Sequence, residues 1–314
     1  MGGRRKGRPV TGIIVLDKPV GPSSNQALQR VRHLFGAAKA GHTGNLDPLA
    51  SGVLPICLGE ATKLSQYLLD SDKAYRAQFC FGASTTTLDS EGEVVAEADA
   101  SELTEIAVCK ALDKFVGDIE QIPPMYSALK VDGQPLYKLA REGKEVERKS
   151  RSVSIRSVDL RRFQPGARAE ASVDVLCSKG TYIRTLSEDV AASLGFPGHM
   201  SALRRTATGP FSLAQAVSLD TLAQLADAEG AEALDHFLLD PELAVGHLPR
   251  VEVTNSAAFY LKQGQAVVVR NAPLNGMVRV AEAAGSFLGI GEMLDDGRVA
   301  PKRLFVDSHQ STPL

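Results

Sequence analysis

The chain has 314 residues, 44% of them hydrophobic, which is enough to bury a substantial core in one main domain plus a small one and argues against a disordered or fibrous protein. A formal net charge of −2 gives no overall attraction to a polyanion, and the four cysteines, Cys57, Cys80, Cys109 and Cys177, contain no CxxC pair, so neither a zinc site nor a disulfide framework is suggested. No stretch approaches the roughly 18 consecutive apolar residues of a membrane span, and the run Ile13 to Leu16 is too short for a signal-peptide core, so a cytoplasmic location is expected.

The first ten residues carry Arg4, Arg5, Lys6 and Arg8 with no acid and read as a basic tail. GIIVLDKPVGPSS then predicts a short buried strand ending in a Pro/Gly turn, and NQALQRVRHLF a helix with Leu28, Val31 and Phe35 on one face. A glycine-rich loop, AGHTGNLDPLASG, leads into VLPICLGEATKLSQYLL, where Leu64, Tyr67 and Leu68 predict a helix after Gly59. KAYRAQFCFG alternates, with Tyr75, Ala77, Phe79 and Phe81 on one side and Arg76, Gln78 and Cys80 on the other, which predicts a strand.

Next, SELTEIAVCKALDKFVGD predicts an amphipathic helix that opens with a capping box at Ser101 and ends near Gly117. QIPPMYSALKVDGQPLYKLAREG is irregular, with paired prolines and an Asp132-Gly133 turn before a helix at Leu136 to Arg141. Residues 141–162 hold eight basic and four acidic side chains, either a solvated surface or a place for phosphate contacts. ASVDVLC predicts a strand and TYIRTLSEDVAASLG a helix striped by Ile183, Leu186, Val190 and Leu194. From Pro249 the texture changes to a short helix, NSAAFYLKQ, and brief apolar runs separated by glycine or Asp-Gly turns, a small β-barrel or sandwich pattern. The expected division is a tail at 1–10, a main domain at 11–248 and a small domain at 249–314.

Few motifs carry chemistry by spacing alone. GAAKAGHT at 36–43 imitates a phosphate loop, but His42 replaces the lysine and a helix, not a strand, precedes it. The histidines are scattered, with no metal-binding spacing. Asp47 precedes Pro48, where aspartate is most often a turn initiator. Yet Gly41, Gly44 and Gly52 allow a tight loop, and Leu46, Leu49, Val53 and Leu54 imply that it packs against a core. A carboxylate so placed needs a cation. Arg184 is the candidate, because it lies in the first turn of its helix, where the macrodipole disfavours positive charge unless an anion compensates. Tyr75 and Tyr182 read either as core aromatics or as rings that stack on a flipped base.

Taken together, DKPVGPSS at 17–24, GHTGNLDPLASGVLP at 41–55, KAYRAQFCFG at 73–82, PPMYSALKVDGQPLYKLAREG at 123–143, CSKGTYIRTL at 177–186 and GHMSALRRTATGPF at 198–211 resemble, in order, the motifs of the TruB family. That family isomerises the T-loop uridine at tRNA position 55 to pseudouridine. The tail from Pro249, with FLGIGEM, looks like a reduced PUA-type RNA-binding domain. The resemblance implies an α+β pseudouridine synthase fold: a mixed, mostly antiparallel central sheet flanked by helices, a cleft between its halves, and a small C-terminal β-rich PUA-like domain. It implies Asp47 as the catalytic aspartate, Arg184 as its partner and Tyr75 as the ring that stacks on the target base. His42 matches a residue that holds the opened T loop, Tyr182 and Leu203 line the uracil pocket, and Lys18 and Lys130 match family lysines near the RNA or the site. Because the reaction has no net redox change, no cofactor and no metal are expected. The expected partner is the T stem-loop of tRNA, bound by a monomer without an obligatory protein partner. A non-catalytic RNA-binding or RNA-folding protein is the first alternative, opposed by the intact Asp47, Tyr75 and Arg184 set. A guide-RNA-dependent synthase is the second, opposed by the long segment at 123–143 and the short tail.

Overall fold

The computed structural model describes residues 7–131, 133–283 and 285–305. Arg4, Arg5 and Lys6 of the basic tail and Asp132 of the expected turn lie outside them.

Strand β1 (Gly12–Lys18) buries every residue from Ile13 to Leu16, as a strand covered on both faces must. Ser23 caps helix α1 (Ser24–Leu34) in a reciprocal capping box with Gln26, and Leu28, Val31 and Phe35 enter the core. β2 (Ala40–His42) and β3 (Ser51–Leu58) then flank the glycine-rich loop. A proline inside a strand removes a ladder donor, so Pro55 in β3 needs a place without an N–H acceptor to serve. Pro55 is tolerated because on that side β3 pairs with Arg204 and Arg205 only through Ser51 and Gly52, and with β2 only from Ile56 onward. The Pro55 carbonyl still accepts the Thr43 N–H, and the missing N–H falls where that ladder ends.

A 3-10 turn (Gly59–Leu64) leads to α2 (Ser65–Leu69), and β4 (Lys73–Phe81) shows the predicted alternation. A hairpin of β5 (Ala83–Thr85) and β6 (Val94–Glu97) precedes α3 (Glu105–Asp113). The cap of α3 is Thr104, whose hydroxyl accepts the Ala107 N–H, and not Ser101, whose hydroxyl is already donated to Asp99. β7 (Gly117–Gln121), the hairpin β8 (Lys130–Val131) and β9 (Gln134–Pro135), and α4 (Leu136–Arg141) follow. β10 (Arg151–Gln164) and β11 (Ala169–Cys177) form a long antiparallel ribbon, so half of the basic segment is strand. Its Arg156 and Arg161 are exposed and paired with Asp72 and Asp174. The main body ends with α5 (Ile183–Ser193), β12 (Gly198–Thr208), β13 (Phe211–Ser212), β14 (Val217–Ser218) and α6 (Leu219–Glu229).

The central sheet runs β14-β1-β3-β12-β4-β11-β10-β7, with β2 on β3 and β13 on β12. Only β1/β14 and β3/β12 are parallel, so the sheet is mixed and mostly antiparallel, as expected. Its parallel joint between β3 and β12 is two residue pairs wide, Ser51 with Arg204 and Gly52 with Arg205. At Gly52 the strands are so close that a Cβ would lie 2.2 Å from the Arg205 carbonyl oxygen, and its φ of +100° suits glycine. Two halves therefore meet at a narrow seam: β14, β1, β3 and β2 on one side, and β12, β4, β11, β10 and β7 on the other.

Beyond Pro249, β15 (Arg250–Val253), α7 (Asn255–Lys262), β16 (Val267–Val268), β17 (Gly276–Glu282), β18 (Phe287–Met293) and β19 (Arg298–Leu304) form a separate five-stranded sheet with its own core around Val251, Leu261, Val278 and Val299. This small β-rich body is consistent with the expected PUA-like module. It rests on the main body through Ile290, which is buried in one cluster with Ile13, Val15, Val53 and Phe211.

Candidate active site

The loop between β2 and β3 carries Asp47 to the seam. Ser24, the first residue of α1, pins it by accepting the Leu46 N–H at 2.7 Å and donating its hydroxyl to the Leu46 carbonyl at 2.9 Å. The Ala50 N–H closes a turn onto the Asp47 carbonyl, and the Gly21 N–H reaches the Pro48 carbonyl. Leu46, Val53 and Leu54 are buried beneath, so the loop is packed as the sequence implied. Asp47 thus keeps its turn role while its carboxylate is turned toward the opposite half.

Across the seam stands Arg184, in the first turn of α5, with no acidic residue in that turn to offset the helix dipole. Its guanidinium lies 3.0 Å from the Asp47 carboxylate and 3.2 Å from that of Asp89. It also donates to the carbonyls of Thr87 and Tyr126. Asp89 is almost wholly buried and accepts from the Thr87 hydroxyl and the Glu91 N–H, which fix its orientation. One guanidinium therefore serves two carboxylates with different surroundings. Asp89 is enclosed, whereas the side chain of Asp47 is 42% exposed and opens into a cavity. Burial raises the pKa of Asp47 above the ordinary carboxylate value, Arg184 opposes that shift, and Asp89 adds to it.

That cavity, about 280 Å³, is lined by Asp47, Arg184, Tyr75, Tyr182, Leu203, Arg205 and Lys73, among others. Tyr75 is buried on β4, and burial pushes its phenol pKa up. Tyr182 precedes α5, and its backbone is gripped on both sides by the Gln121 amide, which accepts from its N–H and donates to its carbonyl. A second cavity, about 400 Å³, opens on the other side of the Asp47–Arg184 pair, between Asp89, Tyr126, Tyr137 and Arg141.

The structure gathers Asp47, Tyr75, Tyr182, Arg184 and Leu203 around one cavity. Three other expected residues are not on its walls. His42 is half-buried at the end of β2, and burial lowers its pKa. Lys18 is fully buried, donates to the carbonyls of Pro19 and Pro22, and has a pKa lowered to about 8, chiefly by burial. It braces the segment that carries Ser24. Lys130 is exposed in the β8–β9 hairpin. Asp89, Gln121, Lys73 and Arg205 are additions that no motif spacing indicated. Only the need of Arg184 for anions hinted at a second carboxylate. Among the described residues no cluster of three or more His, Cys, Asp or Glu side chains could hold a metal ion, and no helix is long and apolar enough to cross a membrane.

The fold has close counterparts among solved structures. A crystal structure of a Cbf5–Nop10–Gar1 complex matches with a TM-score of 0.72 and 26% identity, over 94% of this chain and 85% of the other. Family models match three consecutive parts: the TruB family pseudouridylate synthase N-terminal domain at 32–183, the tRNA pseudouridylate synthase B C-terminal domain at 184–246, and the pseudouridine synthase II TruB C-terminal domain at 249–305. The chain is 54% identical to tRNA pseudouridine synthase B of Saccharophagus degradans over 313 residues, 98% of this chain and 100% of that protein. It is also 54% identical to the protein of the same name from Pseudomonas aeruginosa, over 96% of this chain and 98% of that one. The chain belongs to the TruB family of pseudouridylate synthases.

Proposed function

We propose that this protein converts uridine to pseudouridine at position 55 in the T loop of tRNA, acting as a cytoplasmic monomer without a guide RNA or an obligatory protein partner. The observation that carries the reading is the Asp47–Arg184 pair opening into a small cavity walled by Tyr75, Tyr182 and Leu203. Likeness over nearly the whole chain to proteins named tRNA pseudouridine synthase B supports tRNA as the substrate. In this reading residues 11–248 carry the chemistry and 249–314 bind RNA.

At about 280 Å³ the cavity sits near the lower end of ligand pockets and suits a single nucleoside. The target uridine must leave its stack to enter. There the N1–C1′ bond breaks, the uracil turns, a C5–C1′ bond forms, and the C5 proton is released while N1 regains one. Asp47 supplies the anionic oxygen that meets the electron-poor sugar or base carbon. Arg184 keeps that carboxylate ionised and aimed. Tyr75 stacks on the ring while it turns, and Tyr182 and Leu203 bound its plane. His42, Lys18 and Lys130 contact or support the RNA outside the cavity.

The test uses a T stem-loop carrying tritium at uridine C5. Wild-type protein should release label without added guide RNA or protein, and Asp47→Asn should bind the RNA but release essentially none. A wild type that binds without releasing label, or that releases label only with a guide RNA, refutes the proposal.

A further inference from the structure

Arg205 occupies the tightest point of the seam. It is the β12 residue opposite Gly52 of β3 and, on its other edge, the residue directly opposite Tyr75 of β4. Its side chain is only 1% exposed, which makes it one of the largest fully buried groups in the protein. Nε donates to the Val53 carbonyl at 2.7 Å and Nη1 to the Asn45 carbonyl at 3.3 Å, two residues before Asp47. Nη2 is buried and has no well-formed hydrogen bond, although the guanidinium already lies close enough to the Tyr75 phenol to oppose the rise that burial imposes on its pKa.

The charge makes this placement costly. Arg205 forms no ion pair with a described residue, and two further buried cations, Lys18 and Lys73, feel its field; each has its pKa lowered to about 8, with Arg205 a secondary cause after burial. A guanidinium buried among cations costs stability unless its donors do something an apolar side chain could not. One of those donors holds the Asp47 loop at Asn45 and another the β3 strand that leaves it at Val53, both from the far half of the sheet. The guanidinium also meets the cross-strand Tyr75 side chain, on the wall of the same cavity.

Building on the isomerase reading, we propose that Arg205 is a positioning residue: a single guanidinium couples the Asp47 loop to the Tyr75 phenol. Nη1 holds the loop at Asn45 and Nε the strand that follows it at Val53, and the guanidinium donates to the phenol oxygen, a contact that tightens when the substrate ring seats. The phenol proton then points into the cavity. The carboxylate and the stacking ring keep one spacing while the base turns between them. Arg205 itself touches neither the sugar nor the base.

Two features separate this role from plain structural support. Misplacing a reacting group by about 1 Å costs on the order of 100-fold in rate while leaving remote binding contacts intact. The coupling also runs through the Tyr75 hydroxyl, so it disappears when that hydroxyl is absent. The experiment measures single-turnover tritium release and RNA affinity for wild type, Arg205→Met, Arg205→Lys, Tyr75→Phe and the Arg205→Lys/Tyr75→Phe double variant, each with a thermal melt. Arg205→Met should lose on the order of 100-fold in rate with affinity changed less than about threefold. Arg205→Lys should recover part of that rate, because it restores charge and one donor but not the planar fork. The double variant should be no slower than about threefold below its slower single parent. Should Arg205→Met not fold, the lysine variant and its cycle carry the test. A lysine variant as fast as wild type, or losses that simply multiply in the double variant, would overturn the proposal. Absence of label release from wild type would instead overturn the isomerase reading, so the two failures are distinguishable.

Discussion

Replacing Arg184 by methionine tests the centre of the site. The stem volume is roughly preserved, but four acceptors lose their donor: the carboxylates of Asp47 and Asp89 and the carbonyls of Thr87 and Tyr126. Removing one member of a buried pair costs about 3–5 kcal/mol, because the other charge is stranded. Asp89, nearly enclosed, meets most of that cost. Asp47 is partly exposed, so solvent screens its share, and the total falls near the lower figure. The rate should suffer in two ways. Asp47 loses the group that aims it, and its pKa, already raised by burial, loses the nearer cation that opposes the rise. In the proposed reaction the working form is the carboxylate, so activity is present above the folded-state pKa and lost as pH falls through it. Raising that pKa moves the acid limb to higher pH. Losing the group that aims Asp47 should cost on the order of 100-fold in rate at neutral pH. Single-turnover tritium release from pH 5 to 9, with RNA affinity and a denaturant melt beside it, reads all three effects. Near-normal turnover with an unmoved acid limb refutes the role given to Arg184, and so does lost binding with normal turnover of bound RNA.

Asp89→Asn should slow turnover less than Arg184→Met, since Arg184 keeps Asp47 and both carbonyls. Combined with Arg184→Met it should restore part of the lost stability by removing the stranded charge, and purely additive losses in denaturant melts would contradict this. Lys73 is buried and its pKa is lowered from 10.5 to about 8, chiefly by burial. The folded protein therefore gives up this proton near pH 8 while the unfolded chain holds it to about 10.5, so folding gains stability as pH rises through that window. Relative to Lys73→Met, which does not titrate there, the wild type should gain up to about 3 kcal/mol between pH 7 and 10. A difference in melts that stays flat or shrinks with pH rules this out.

Much of this geometry was legible in the residues. Strand alternation placed Tyr75 on the inner face of β4, and the helical stripe of α5 put Arg184 at an electrostatically awkward start that only an anion could relieve. Local rules failed where a long-range contact decides. Nothing local marks β3 as a strand, since the pairings that tolerate Pro55 come from two other strands. Ser101 matches a capping box, yet Asp99 takes its hydroxyl, and helix entry moves to Thr104. Asp89 sits in a turn whose composition suits any exposed hairpin, and its burial depends on Arg184, 95 positions away. Arg205 looks like an ordinary surface cation, and nothing in the residues around Lys18, a match to a family lysine, shows that it is fully buried. Their burial follows from carbonyls that converge only once the two halves meet.

The contacts that define the candidate site are also the contacts that close the seam. Asp47 belongs to the β2–β3 loop of one half, whereas Arg184, Asp89 and Tyr126 hang from the other. Arg205 crosses the seam to Val53 and Asn45, and Arg204 crosses it to Asp17 and Ser51. The ladder beneath is only two residue pairs wide, so side chains must supply the rigidity that backbone pairing does not. Hydrogen bonds to charged groups contribute about 1.5–3 kcal/mol each, which makes three arginines at one seam comparable to the net stability of a domain. Holding the halves together and holding the carboxylate against the cavity are then one energetic problem. A substitution at the seam should lower activity and stability together, whereas one on the cavity wall beyond it, such as at Leu203, should lower activity alone.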